Sequence, residues 1–148
     1  MIKYETAIFN ANKEVFENIK DELSNTLFLD KRTASYKPRQ IKTIFTEQLL
    51  KNNWIPKLKI FDKKNSYIQL FKNKTGLSIQ MGHFAQSYVD FLKFELAFNK
   101  NKINKAVLIV LDKELAKDGN HSSFEDTVLN YEEFSRFLNC PLLVVKLS

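Results

Sequence analysis

An uninterrupted run of six apolar residues limits the fold of this chain more than any other stretch. It occupies residues 106–111, reads AVLIVL and offers no polar position to a solvated face. A strand of this kind is buried on both of its faces, as in the interior of a parallel or mixed sheet. The sequence therefore predicts an α/β protein in which helices flank a mixed sheet.

Periodicity around this run predicts alternating helices and strands. Apolar residues at helical spacing predict three helices, over residues 12–27, 39–52 and 84–99. A fourth helix is predicted to begin at the capping-box spacing from Ser122 to Glu125 and to end near Leu138. Extended segments are predicted over residues 54–61, 106–111 and 141–145. This order of elements implies that the sheet contains parallel strands.

One acidic residue of the third predicted helix falls inside its apolar arc. Glu95 lies near the middle of that arc, whereas Asp90 and Lys93 lie opposite. A carboxyl group in an apolar stripe must be paired, protonated or directed at a polar cavity. Glu95 is therefore a candidate site residue, and a buried ion pair with a lysine is the competing interpretation.

Residues 66–83 are predicted to form two strands joined by a tight basic turn. In the second strand apolar residues alternate with Ser78 and Gln80, which share the other face. Gln69 lies on the first strand, nine residues before Ser78. Polar residues at this spacing on paired strands have the layout of a metal-dependent nuclease centre. However, Gln69 and Ser78 are neutral where that chemistry requires carboxylates.

Composition narrows the functional classes. The 148 residues are expected to form a single domain over residues 1–148, and the lone Cys140 excludes an intramolecular disulfide and a Cys-based metal cluster. With no apolar run long enough for a signal or a bilayer span, we expect a cytoplasmic protein without a membrane partner. A net charge of +6 favours a polyanionic partner, although lysine-rich chains are often mildly basic.

Basic residues on two connections are candidates for contacts with phosphates. Arg32, Lys37 and Arg39 belong to a polar stretch over residues 30–40, and Lys72 and Lys74 belong to the hairpin turn. The competing interpretation of these stretches is a solvated loop. The sequence contains no glycine-rich phosphate loop, zinc pattern or Ser-His-Asp arrangement.

The hairpin resembles the catalytic hairpin of the BglII/BstYI-type type II restriction endonucleases, which have the PD-(D/E)XK fold. Residues 68–72 (IQLFK) and 77–84 (LSIQMGHF) show the resemblance, which extends over most of the chain. It implies a restriction-endonuclease-like core in which an Asp and a Glu bind magnesium and a Gln positions the attacking water. Gln80 fits the third place, whereas Gln69 stands at the Asp position and Ser78 at the Glu position.

Three functions remain open on this basis. The first is a DNA-binding protein that is catalytically impaired and needs no cofactor. The second is an active endonuclease whose magnesium is held by Glu95 and another displaced acid. The third is an interaction module on the same fold without nucleic acid. The resemblance further implies double-stranded DNA as partner, base-edge contacts by His83, a homodimer and a companion DNA methyltransferase.

Overall fold

A six-stranded sheet with helices on both faces is the framework of the computed structural model, which describes residues 4–62, 65–83, 85–116 and 121–148. The strands are β1 Tyr4–Phe9, β2 Ile55–Lys59, β3 Tyr67–Lys72, β4 Thr75–Ile79, β5 Lys105–Leu111 and β6 Leu142–Leu147. The α-helices are α1 Glu17–Thr26, α2 Pro38–Lys51, α3 Gln86–Asn99, α4 Lys113–Ala116 and α5 Phe124–Phe134. No helix in these residues combines the length and the apolar character that crossing a bilayer requires.

The sheet is mixed, as predicted. Its strand order is β1-β6-β5-β4-β3-β2, with β5 parallel to β4 and β6 and the remaining neighbours antiparallel. β2, which lies within the extended segment predicted over residues 54–61, is at one edge. β1 lies at the other edge and was not predicted, because its pairing partner is β6, more than 130 residues away in the chain.

The apolar run in β5 is buried on both faces, which confirms the prediction from the sequence. Val107, Ile109 and Leu111 pack into the core that contains α1 and α2. The intervening residues pack into the core that contains α3 and α5, and these are Ala106, Leu108 and Val110. Successive side chains of a strand point to opposite faces, so one strand supplies both cores.

Helix ends follow the local sequence closely. α2 begins at Pro38, where a missing N–H costs nothing because the first helical N–H groups have no partner within the helix. The cap of α5 is Ser123, whose hydroxyl accepts a hydrogen bond of 3.1 Å from the Asp126 amide. The predicted capping box from Ser122 to Glu125 is thus wrong by one residue. The Ser122 hydroxyl instead donates to the His83 carbonyl at 3.3 Å.

The predicted buried arc of α3 is partly wrong. Asp90 was placed on the solvated side but is buried, whereas Val89, Leu92 and Leu96 of the arc are exposed. The reason is that α3 packs against both the sheet and α5, and its Asp90 side faces the end of β4. Phe84, the predicted start of the arc, lies outside the described residues.

Glu95 fastens α3 to the loop before β6. Its carboxyl group accepts hydrogen bonds of 2.9 Å from the backbone N–H groups of Asn139 and Cys140 and one of 3.3 Å from the Asn139 side chain. Burial, together with Glu95, raises the pKa of the Cys140 thiol to about 12. Cys140 therefore stays a neutral thiol in the core.

Glu95→Ala should lower the free energy of unfolding by roughly 2–4 kcal/mol, because two N–H groups lose their charged acceptor. Urea unfolding followed by the fluorescence of the single, buried Trp54 measures this change. Glu133→Ala, at an exposed acid on α5, is the matched control and should change stability by less than about 0.5 kcal/mol. Equal stabilities of the two variants would contradict the structural role of Glu95.

Candidate functional site

The hairpin opens at Gln69. Antiparallel pairing of β3 with β4 runs from Lys72↔Thr75 to Leu70↔Leu77 and ends there. On the other side of β3, the register with β2 skips the position where Lys57 would face Gln69. Because Gln69 is flanked by interrupted pairing on both sides, a cavity of about 520 Å³ opens between the strands, α2 and α3.

The side chain of Gln69 bridges the gap that the backbone leaves. Its Oε1 accepts a hydrogen bond of 2.9 Å from the Ile79 amide, which a β3 carbonyl would otherwise satisfy. Its Nε2 donates to the Thr46 hydroxyl on α2 at 3.0 Å. Both the oxygen and the nitrogen of the side-chain amide are thus hydrogen-bonded within the protein, and the amide adds no charge to the cavity.

Gln80 forms a second bridge, between the end of β4 and α3. Its Nε2 donates to Asp90 Oδ2 at 2.5 Å, and its Oε1 accepts from the Gly82 amide at 3.0 Å. Burial raises the pKa of Asp90 to about 6, and the hydrogen bond from Gln80 and the charges of Lys93 and Lys42 partly oppose this rise. Asp90 is therefore a buried acid that titrates well above a free aspartate.

Lysines outnumber acids in this cavity. Lys42 of α2, Lys57 of β2 and Lys93 of α3 line it, and Asp90 is the one carboxyl group among the described residues of its wall. The remaining polar residues of the wall are neutral; they are Thr46, Tyr67, Gln69, Ser78, Gln80 and Gln86. The cavity is thus positive at neutral pH.

The residues of this cavity do not fit a magnesium ion. Mg²⁺ keeps most of its waters and is usually captured by one or two carboxylates together with substrate phosphates. Gln69 and Ser78 carry no charge, and Asp90 is a single acid close to two lysines. Over the described ranges, no group of three or more His, Cys, Asp and Glu side chains is arranged to hold a metal ion.

A second cavity, of about 650 Å³, lies beside the first. Ile41 of α2 and Met81 line it, whereas their neighbours Lys42 and Gly82 line the first, so α2 and the segment after β4 separate the two. Two of the predicted phosphate contacts, Lys37 and Arg39, line this second cavity, and Arg32 is exposed nearby on the adjoining turn. His83 is exposed and directly follows Gly82.

Other predicted site residues lie elsewhere. Lys72 Nζ donates to Glu22 Oε1 at 2.5 Å and to the Asn52 carbonyl at 2.9 Å, and Lys74 Nζ donates to the Asn101 carbonyl. Both lysines are at the turn, the end of the hairpin away from Ser78. Glu95 is held by the loop before β6. The structure therefore brings Gln69, Ser78 and Gln80 together but not Lys72, Lys74 or Glu95.

Several polar residues of the first cavity were not predicted as site residues from the sequence, including Lys42, Thr46, Lys57, Asp90 and Lys93. On α2 and α3 they form pairs one helical turn apart, off the most apolar stripe. That spacing is equally typical of a solvated helix face, so it does not distinguish a site. Lys57 has a φ of 60°, which no local sequence pattern indicated.

Asp90→Asn should stabilise the protein by roughly 1–3 kcal/mol at pH 7.5, since a tenfold difference in proton affinity corresponds to about 1.4 kcal/mol. The folded protein holds the Asp90 proton up to about pH 6, whereas the unfolded chain releases it near 3.8. The stability of the wild type therefore falls as pH rises through this interval. Asparagine removes the charge and still accepts the hydrogen bond from Gln80.

Urea unfolding at pH 4 and pH 7.5 tests this expectation, with the exposed Asp21→Asn on α1 as control. The stabilisation by Asp90→Asn should nearly vanish at pH 4. If Asp90→Asn gives no increase in the free energy of unfolding at pH 7.5, or a larger increase at pH 4, burial does not destabilise the ionised form of Asp90.

Comparison with known proteins relates the sequence and the fold of this chain to one family of restriction endonucleases. The family model for restriction endonucleases BglII/BglIII matches residues 4–147. The crystal structure of BglII complexed with a DNA 16-mer aligns with 99% of this chain and 78% of that chain, with a TM-score of 0.85 and 15% identity. Free BglII aligns with 99% and 79% of the two chains, with a TM-score of 0.66 and 17% identity. No curated protein matches by sequence. Since the family model spans almost the whole chain, the protein belongs to the BglII/BglIII restriction endonuclease family and has its fold.

Proposed function

We propose that this protein binds double-stranded DNA and does not cleave it. The observation that carries the proposal is the neutral pair Gln69 and Ser78 at the two positions where the family resemblance calls for metal-binding carboxylates. Both lie in one cavity, and lysines outnumber acids in its wall. Such a site attracts a phosphate and repels a divalent cation.

Absence of cleavage follows from the chemistry that a metal supplies. Magnesium activates the attacking water and compensates the charge that develops on the phosphate. Glu95 does not replace a missing ligand, because its carboxyl group is held by Asn139 and Cys140. Among the described residues of the cavity wall Asp90 alone remains, and its raised pKa and its lysine neighbours both oppose metal capture. An active endonuclease with displaced ligands therefore has no support among the described side chains.

Two further observations support DNA as the partner. A family member of the same fold was crystallised with a DNA 16-mer. In this chain, the cations of both cavities are grouped around the end of β4 rather than scattered, with Lys37 and Arg39 in one wall and Lys42 and Lys93 in the other. Grouped cations are typical of a surface that follows a phosphate backbone. His83, exposed after β4, is proposed to reach base edges.

We propose a homodimer as the assembled form. α3 and α5 cover the same face of the sheet and touch through the rings of Tyr88 and Phe134, 5.4 Å apart. Large apolar side chains are exposed here, namely Leu92 on α3, Leu129 on α5 and Phe137 in the 3-10 turn that follows α5. Contiguous apolar surfaces commonly mark a contact between proteins, and these side chains are proposed to form one.

Sedimentation velocity should give the mass of two chains for the wild type. Phe137→Glu should shift the protein towards the monomer, because a charge would be buried in the interface. Val15→Glu, at an exposed apolar residue near α1, is the control and should leave the mass unchanged. A wild type that sediments as one chain, or a dimer indifferent to Phe137→Glu, would contradict this assignment.

Fluorescence anisotropy with a pooled 20-base-pair duplex tests the binding proposal, since the pool contains no assumed recognition site. Binding should weaken about tenfold or more between 50 and 200 mM salt, because phosphate contacts release counterions. Lys37→Glu combined with Arg39→Glu should weaken it further. Lys13→Glu, at an exposed lysine in the 3-10 turn before α1, is the control for the change in charge and should have a small effect.

The same preparation is then incubated with a supercoiled plasmid and magnesium or manganese. The expected result is no nicking and no linear product. Cleavage that survives repurification would overturn the proposed inactivity, and salt-insensitive or absent duplex binding would overturn the proposed partner.

A further inference from the structure

We infer that the cavity between α2, β2 and α3 binds a phosphodiester group directly, with the ammonium groups of Lys42, Lys57 and Lys93 in place of a divalent cation. The inference deepens the proposed function, on which it rests for the source of the phosphodiester. It goes further because it assigns the contact to the cavity that contains Gln69, Ser78 and Gln80, and to three lysines that were not predicted as site residues from the sequence.

The charge of the cavity is the first argument. Two carboxylates in this position would repel a phosphate unless a metal lay between them. Here the described wall contains three ammonium groups and one carboxyl group, so its charge is +2 with Asp90 ionised and +3 with it protonated. The net charge of the site is therefore positive, whereas two carboxylates would make it negative. A monoanionic phosphodiester can consequently enter without a metal.

The second argument is that these lysines are available. Within the part of the chain that the structure describes, the ammonium groups of Lys42 and Lys93 have neither a hydrogen bond nor an ion pair within 4.0 Å, and the nearby charge that they act on is that of Asp90. Lys57 Nζ lies 5.4 Å from the centre of the Tyr67 ring, a contact that leaves its hydrogen-bond donors unused. By contrast, Lys72, Lys74 and Lys102 are each bound to a backbone carbonyl.

The third argument concerns the two glutamines. Both side-chain amides are hydrogen-bonded within the protein, that of Gln69 to Thr46 and the Ile79 amide. That of Gln80 is hydrogen-bonded to Asp90 and the Gly82 amide. The cavity therefore keeps its shape without a bound ion. Ser78 lines the same cavity, and its hydroxyl can donate a hydrogen bond to a phosphate oxygen.

The backbone at Lys57 is the fourth argument. Its φ of 60° lies in the left-handed region, which a residue with a side chain rarely adopts within a strand. Glycine would adopt it freely. A lysine held in this conformation on the wall of a charged cavity fits the general rule that backbone strain collects at functional sites.

The test uses the full chain and two probes, in EDTA and in magnesium. The first is the pooled 20-base-pair duplex, whose affinity is measured over a range of salt concentrations. The second is dimethyl phosphate, followed by the NMR shifts of the lysine ε-methylene groups. The variants are Lys42→Ala, Lys93→Ala, Lys57→Gly and Asp90→Asn, with Lys51→Ala at an exposed position of α2 as the matched control.

Lys42→Ala and Lys93→Ala should each weaken duplex binding about three- to tenfold and lower the slope of log K against log salt by about one. Lys57→Gly should weaken binding equally while its unfolding midpoint stays equal or rises, a combination that a merely structural lysine would not give. Asp90→Asn should strengthen binding, because it removes the one negative charge. EDTA and Lys51→Ala should change nothing.

The outcomes separate the two proposals. If the duplex binds but the salt slopes of the lysine variants equal that of the wild type, or if binding requires magnesium, the phosphodiester site is wrong and DNA binding stands. If the duplex does not bind but dimethyl phosphate shifts the Lys42 and Lys93 resonances, the site stands and the proposed function is wrong. If neither probe responds to these lysines, the inference is overturned.

Discussion

The hydrogen bond from the Ile79 amide to Gln69 Oε1 is the constraint around which the site is built. Pairing of β3 with β4 stops two residues earlier, and a buried amide without a partner would cost about 1–3 kcal/mol. The Gln69 side chain supplies that partner and reaches α2 through Thr46. The strands can therefore separate at this point, and the cavity exists, without leaving the Ile79 amide unpaired.

The neutral side chains at positions 69 and 78 change which kind of ion the cavity can bind. A carboxylate at position 69 or 78 would bring negative charge and would need a counter-ion, whereas an amide and a hydroxyl do not. Lys42, Lys57 and Lys93 then face a cavity whose described wall contains one acid, and the burial of Asp90 favours the neutral form of that acid. The fold of the family is thus retained while the electrostatics of its site favours an anion over a metal ion.

The two acids of α3 show which parts of the site could be predicted from the sequence. Asp90 and Glu95 are five residues apart, about 140° around the helix, and both are buried. Amphipathicity placed Glu95 inside and Asp90 outside because it assumes one buried face. α3 is covered by the sheet, by α5 and by the end of β4. Glu95 consequently meets backbone amides, and Asp90 is the acid that meets Gln80.

The sequence by itself determined the mixed sheet, the interior strand β5, a helix over residues 39–52, the hairpin and the spacing of Gln69, Ser78 and Gln80. These features depend on residues close together in the chain, whose periodicity or turn chemistry is visible locally. Only the tertiary structure decided the place of β1, the burial of Asp90, the internal partners of the two hairpin lysines and the convergence of lysines from α2, β2 and α3. Each of these depends on contacts between segments far apart in sequence, and a lysine on an exposed helix face has the same local pattern as one that lines a cavity.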